Sequence, residues 1–305
     1  MSAYRLYDTW FRVIRKLLPA ERITRVRNVV WMIIGLYLGQ SVHLARIASR
    51  LPVGKAKLTS TTDRFRRFLR NAAFRVRPWY RPIAERLLAR AALSGTIRLI
   101  LDGSKVGAGQ QLLMVALAYR QRALPICWTW VRGARGHSTA RKQLALLGYV
   151  HGLLPSGTSV LVVGDCEFGT IAVARQLQNW HWQYVLRQKG NTQVSVSSTT
   201  IAWCDAVSLV PARDQVVWYP HAIVTIKHLF HARLLYAVLP HRPIGDLCAE
   251  PVAVLRHDIH PEHVELAGRL DQLKIFLGVF TLPAPCLVNA GHSALPQVRQ
   301  DVRMI

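Results

Sequence analysis

Two aspartates close apolar runs in a chain where only nine acids precede residue 219: Asp102 ends RLILD (98–102) and Asp165 ends VLVVGD (160–165). Each run reads as a buried strand, and burying an ionised carboxylate at its end costs several kcal/mol unless something compensates. Taken singly, each aspartate reads as a turn residue, since DGS and GDCEFG both start like turns. Taken as a pair they say more. Two aspartates a few ångströms apart repel and raise each other's pKa unless a divalent cation lies between them. Magnesium prefers one or two carboxylates, with water and phosphate oxygens completing its shell. Two such ions about 3.5–4 Å apart stabilise the attacking and leaving oxygens of an in-line phosphoryl displacement. The chemistry indicated is phosphodiester cleavage or transfer. Glu167 is a candidate third ligand, but its position suits the N-terminus of the following helix, where an acid is favoured.

Other chemistries find no support. GSKVGAG (103–109) lacks the GxxxxGK[ST] pattern of a P-loop and the third glycine of a dinucleotide fingerprint. G-x-S-x-G and H-E-x-x-H are absent. Five scattered cysteines without a C-x-x-C pair indicate neither a zinc site nor a disulfide framework, so a cytosolic chain with free thiols is expected.

A polyanion must be held for such chemistry, and the charge fits. The 305 residues carry a formal net charge of +24, which implies nucleic acid or an anionic membrane surface as partner. Nucleic acid is the better reading, because no basic amphipathic helix with an aromatic membrane face stands out. The most apolar run, VVWMIIGLYLG (29–39), is too short to span a bilayer, and the N-terminus lacks the pattern of a secretory signal. Residues 1–90 concentrate the charge, with twenty Lys/Arg against Asp8, Glu21, Asp63 and Glu85. Within them, TDRFRRFLRN places Phe65, Phe68 and Leu69 on one helical face and Arg64, Arg66, Arg67 and Arg70 on the rest. Beside so much positive charge, those arginines read as phosphate contacts.

The elements that would position these residues fall into two blocks. Apolar residues every three or four positions predict helices over 4–18, 21–38, 40–51, 62–71 and 79–93. From residue 96, three strand-like runs (98–102, 111–120 and 123–133) form a meander. A helix over 137–155 follows, with Leu144, Leu147, Val150 and Leu154 on one face. Then come a strand (159–165), a helix (170–180) and a strand (182–190). The order β-β-β-α-β-α-β predicts a mixed α/β sheet covered by helices, with the first and fourth strands side by side. Beyond residue 190, QVVWY, HAIVTI and ARLLYAVLP are strand-like without clear order.

RLILDGSKVGAGQQLLMVALAYRQRALPICWTWVRGARGHSTARKQLALL, VLVVGDCEFGT and WQYVLRQKGN closely resemble the DDE transposases of bacterial insertion sequences, in the subgroup named after insertion sequence four. QSVHLARIASRLP and DRFRRFLRN resemble the helical N-terminal region of the same proteins, and the likeness covers about residues 25–218. It implies a ribonuclease H-like core that cuts DNA at transposon ends and joins the freed 3′-hydroxyl to target DNA. It implies that Asp102 and Asp165 are the first and second catalytic aspartates, binding two Mg²⁺ (or Mn²⁺) ions. Arg132, Arg135, Lys142, Arg187 and Lys189 fall in motifs bordering the site, as phosphate contacts. Transposon ends and target DNA are the implied partners, with a homodimer in synapsis, no membrane, and a cytoplasmic, nucleoid-associated location.

One part of the family pattern has no counterpart. The third acid belongs to Tyr-x2-Arg-x3-Glu-x6-Lys, and none of Glu250, Glu262 and Glu265 has those neighbours, so the third catalytic acid is unknown. Residues 219–305 also change composition, with eight of the twelve histidines and eight of the fifteen prolines. The expected organisation is a helical basic DNA-binding region (1–94), a ribonuclease H-like core with the start of a β insertion (95–218), and an atypical tail (219–305) of the kind a frameshift near codons 215–225 would produce. Two alternatives stay open: a DNA-binding transposase remnant without catalysis, and a stand-alone metal-dependent nuclease.

Overall fold

In the computed structural model the described residues are 2–52, 54, 56–107, 109–120, 122–133, 138–196, 200–209, 216–225, 227–237 and 252–256. The N-terminal block is all helical: α1 (Ala3–Leu17), α2 (Ile23–Gly39), α3 (Leu44–Ser49), α4 (Leu58–Arg70) and α5 (Val76–Ala92). Its core gathers Ile14, Val26, Val30, Ile34, Ile47, Ala48, Phe65 and Trp79. The apolar spacing of α4 buries Phe65 and Phe68, but Leu69 is 50% exposed and does not share their face as expected. Residues 40–43, expected to be helical, instead form the turn between α2 and α3, with Gln40 left-handed at the end of α2. α5 joins the two blocks. Trp79 packs into the helical core, whereas Ala84 and Leu88 pack against the sheet. No helix among the described residues is long and apolar enough to cross a membrane.

The sheet begins with the predicted meander: β1 (Ile97–Lys105), β2 (Gln110–Tyr119) and β3 (Arg122–Arg132). After α6 (Ala140–His151) comes β4 (Val160–Gly164), then α7 (Ile171–Asn179) and β5 (Gln183–Arg187). Strand order is β3-β2-β1-β4-β5, antiparallel from β3 to β1 and parallel from β1 through β4 to β5. This is the ribonuclease H-like mixed sheet, preceded by an all-α region. The sheet continues past β5 through β10 (Val252–Arg256), β9 (Phe230–Ala237), β8 (Val216–Val224), β6 (Gln193–Ser195) and β7 (Cys204–Asp205). Residues 216–219 of QVVWY and 221–224 of HAIVTI thus belong to one strand, β8. Its register against β9 shifts between Tyr219 and Ala222, around Pro220, which has no N–H to give a ladder.

Side chains alternate across the sheet. Ile97, Leu99, Leu101, Val160, Val162, Tyr184 and Leu186 join α5, α6 and α7 in the main core. On α6 the buried residues are Leu146, Leu147, Val150 and Gln143, while Leu144 is only half-buried, so the buried face is rotated from the expected one. Ile100 and Ala116 lie on the opposite face of the sheet with Met114. Asp102, two residues after Ile100, emerges on that same face.

Candidate active site

The strand registers decide which residues meet. Leu101 is paired with Gly164, and Gly164 with Leu186. One step further along the three parallel strands come Asp102, inside β1 three residues before its end, Asp165, just past the end of β4, and Arg187, the last residue of β5. Neighbouring strands lie about 4.8 Å apart, so the backbones at these three positions are neighbours across the sheet, with two acids followed by an arginine. The carboxyl edge of an open α/β sheet is where ligands bind. Asp102 is buried, with 6% exposure, while Asp165 and Arg187 are half-buried. Asp165 Oδ1 accepts the Glu167 backbone N–H at 3.0 Å, which fixes the loop that leaves β4.

Glu167 does not begin a helix. α7 starts at Ile171, capped by Thr170 through the Val173 N–H, and no acid stands in its first turn. The Glu167 side chain turns back under the sheet edge instead, with 8% exposure. Its carboxylate accepts Gln111 Nε2 at 3.0 and 3.2 Å and the Ser138 N–H at 2.8 Å. Gln143 Nε2 donates to the Ser138 hydroxyl at 2.9 Å and to the Glu167 carbonyl at 3.3 Å. Gln111 and Gln143 are both fully buried. This polar network ties β2, the start of α6 and the loop after β4 into one unit beneath Asp102 and Asp165. Gly103 makes it fit: a Cβ there would collide with Gln111 Nε2 and come within 3.1 Å of Glu167 Oε2.

Neither glutamine was among the expected site residues. Their only sequence signal is a polar side chain in an otherwise apolar strand (QLLMVALAY) and on the buried side of a helix. The basic residues spread along the same edge. Arg132 ends β3 in register with Gln110, next to Gln111, and Lys142 lies exposed in the first turn of α6, beside Gln143. Lys189 is exposed two residues beyond Arg187. Arg135 lies outside the described residues, as do Glu250, Glu262 and Glu265. On α4, all of Arg64, Arg66, Arg67 and Arg70 are exposed. Arg66 pairs with Asp63, and the Arg64 guanidinium sits 5.3 Å from the Phe65 ring centre. These arginines belong to the helical block and are not part of the carboxylate row.

The donors at the centre are carboxylate oxygens, which suit a hard divalent cation. No group of three His, Cys, Asp or Glu side chains placed to hold a metal occurs among the described residues. Two carboxylates are still within magnesium's usual protein complement, with water and phosphate oxygens making up its octahedron. In that sense Asp102 and Asp165 fit the ion.

No protein-family model and no curated protein matches the chain. Among solved structures, it is similar to the cryo-EM structure of a piggyBac transposase synaptic complex with hairpin DNA, at 13% identity and a TM-score of 0.38. The match covers 90% of this chain and 64% of that one.

Proposed function

We propose that the chain is a transposase of the DDE type, acting on the ends of an insertion sequence. The observation that carries the reading is the parallel pairing of β1 with β4, whose last register pair, Leu101 with Gly164, immediately precedes Asp102 and Asp165, in motifs that resemble those transposases. Asp102 and Asp165 would hold Mg²⁺ or Mn²⁺. Divalent ions bound there supply Lewis-acid stabilisation of the attacking and leaving oxygens. The protein's own part is positioning. Arg187 beside the carboxylates and Lys142, Arg132 and Lys189 along the edge attract the phosphate backbone to the site. The α4 arginines hold DNA at a distance from it through contacts that are independent of sequence.

A DNA-binding remnant is the second reading, favoured by the absence of Tyr-x2-Arg-x3-Glu-x6-Lys from the sequence. One experiment separates them. Purified protein, Asp102→Ala and Asp165→Ala are each incubated with a duplex carrying the element's terminal repeat and with Mg²⁺ or Mn²⁺. Nicking at the repeat that disappears in both variants is expected. Salt-sensitive binding without nicking would establish the remnant, and nicking of any duplex would establish a nuclease.

A further inference from the structure

Along the sheet edge from the carboxylates, a recess of about 350 Å³ opens between the start of α7, the end of β5 and the β8–β9 turn. Thr170, Arg175, Gln188, Thr192, Thr225 and His228 line it, and no carboxylate among the described residues does. Its near wall adjoins the catalytic row. Gly169 packs so tightly against the Arg187 carbonyl and the Gln188 amide that a Cβ there would collide with both, and Arg187 stands in line with Asp165. Gln188 is buried, its Nε2 donating to the carbonyls of Leu186 and Arg187 at 3.3 Å, so this wall is fixed. Arg175 is exposed and its guanidinium lies 6.0 Å from the Phe230 ring centre. His228 is exposed on the opposite wall, in the turn whose Leu229 N–H donates to the Thr225 carbonyl at 2.9 Å. The Thr225 hydroxyl is shielded from solvent and has no hydrogen-bond partner among the described residues. A buried hydroxyl in that state costs stability unless a ligand meets it.

We propose that this recess is a phosphate-binding site for the DNA strand that runs on from the bond held at Asp102 and Asp165. The proposal rests on the transposase reading for the identity of the strand. The chemistry is that of a tetrahedral oxyanion. Arg175 supplies charge and paired N–H donors, His228 and the hydroxyls of Thr192 and Thr225 supply further polar contacts, and Ile171 and Ala172 bring the N-terminal end of α7, whose dipole favours negative charge, to the recess. A strand seated here is held on the far side of Arg187 from Asp102, which fixes the direction in which it leaves the carboxylates.

The test uses the full chain and a fluorescein-labelled duplex bearing the terminal repeat, with binding followed by anisotropy from low to moderate salt. For Arg175→Gln combined with His228→Gln, the slope of log affinity against log salt is expected to fall by about 1, as for one lost phosphate contact. Thr225→Val changes no charge. It is expected to weaken binding about tenfold, the effect of one lost hydrogen bond to a charged group, with the slope unchanged. Urea midpoints no lower than the wild type's confirm that both variants fold. If the wild type shows no salt-dependent DNA binding, the transposase reading and this site fall together. If it binds and Thr225→Val binds equally well, the site alone is overturned, and any effect of the double variant is general surface charge.

Discussion

Replacing Glu167 with alanine is expected to destabilise the core by about 3 kcal/mol, and replacing it with glutamine by about 1 kcal/mol. The carboxylate has 8% exposure and accepts two donors, Gln111 Nε2 and the Ser138 N–H. Alanine strands both. A buried donor left without a partner costs about 1–3 kcal/mol, and the part-buried Ser138 N–H less, so the two together cost about 2–5 kcal/mol. Relief of the carboxylate's own desolvation offsets part of this, which brings the net to the lower half of the range. Glutamine behaves differently because of its neighbour. It keeps one oxygen for the Ser138 N–H but turns an amide NH₂ toward Gln111. The Gln111 Oε1 has no hydrogen-bond partner among the described residues, so a half-turn of that amide presents an acceptor to the new donor. Urea unfolding followed by circular dichroism reads the difference. At a slope of about 3 kcal/mol/M the midpoint falls by about 1 M for alanine and about 0.3 M for glutamine, with slopes unchanged. Glutamine as costly as alanine, or both within about 0.5 kcal/mol of the wild type, would refute the idea that the network is held by exchangeable donors and acceptors.

Two further predictions concern the buried titratable groups of the main core. Burial pushes the Cys127 thiol up to about 12, and its Sγ donates to the Leu146 carbonyl at 3.7 Å. In native protein treated with iodoacetamide at pH 8, mass mapping should therefore find Cys166 alkylated while Cys127 stays intact until urea unfolds the core. Prompt alkylation of Cys127 would mean that α6 does not stay packed on β3. Burial also raises the Tyr184 phenol above its ordinary value, opposed by the hydrogen bond from Gln178 Nε2 at 3.0 Å. The fold thus favours the neutral phenol. That contribution is fully present below about pH 10, where the unfolded tyrosine ionises, and is lost as pH rises above it. The urea midpoint should fall steeply above pH 10, and Tyr184→Phe should fall less steeply. Parallel pH profiles for the two proteins would count against it.

What was legible in the sequence, and what was not, divides along a physical line. RLILD and VLVVGD are short apolar runs ending in an acid, and the order β-β-β-α-β-α-β leaves few ways to lay them side by side. The adjacency of the strands that carry Asp102 and Asp165 therefore follows from local pattern plus a topological rule, and β1 pairs with β4 accordingly. Glu167 follows from neither. An acid three residues before a helix cap has a sufficient local explanation in the helix dipole. Its actual position depends on Gln111 and Ser138, which lie 56 and 29 residues away. Gln111 and Gln143 are hidden for the same reason, since a glutamine in a strand or helix carries no spacing signal and becomes informative only once it is buried. The basic residues are the converse case. Their number in the first ninety residues points to a polyanionic partner, but exposed arginines on α4 and along the sheet edge are alike in sequence. Only the fold separates those beside the carboxylates from those on the helical block. It follows that mutagenesis guided by sequence alone would target Asp102, Asp165 and the arginines, and would miss Gln111 and Gln143, whose network with Glu167 braces the loop that begins at Asp165. Loss of activity in Glu167 or Gln111 variants would then look catalytic although neither side chain belongs to the carboxylate row. The difference between alanine and glutamine at residue 167 is what tells the two roles apart, because a metal ligand needs the carboxylate charge and a buried hydrogen-bond acceptor does not.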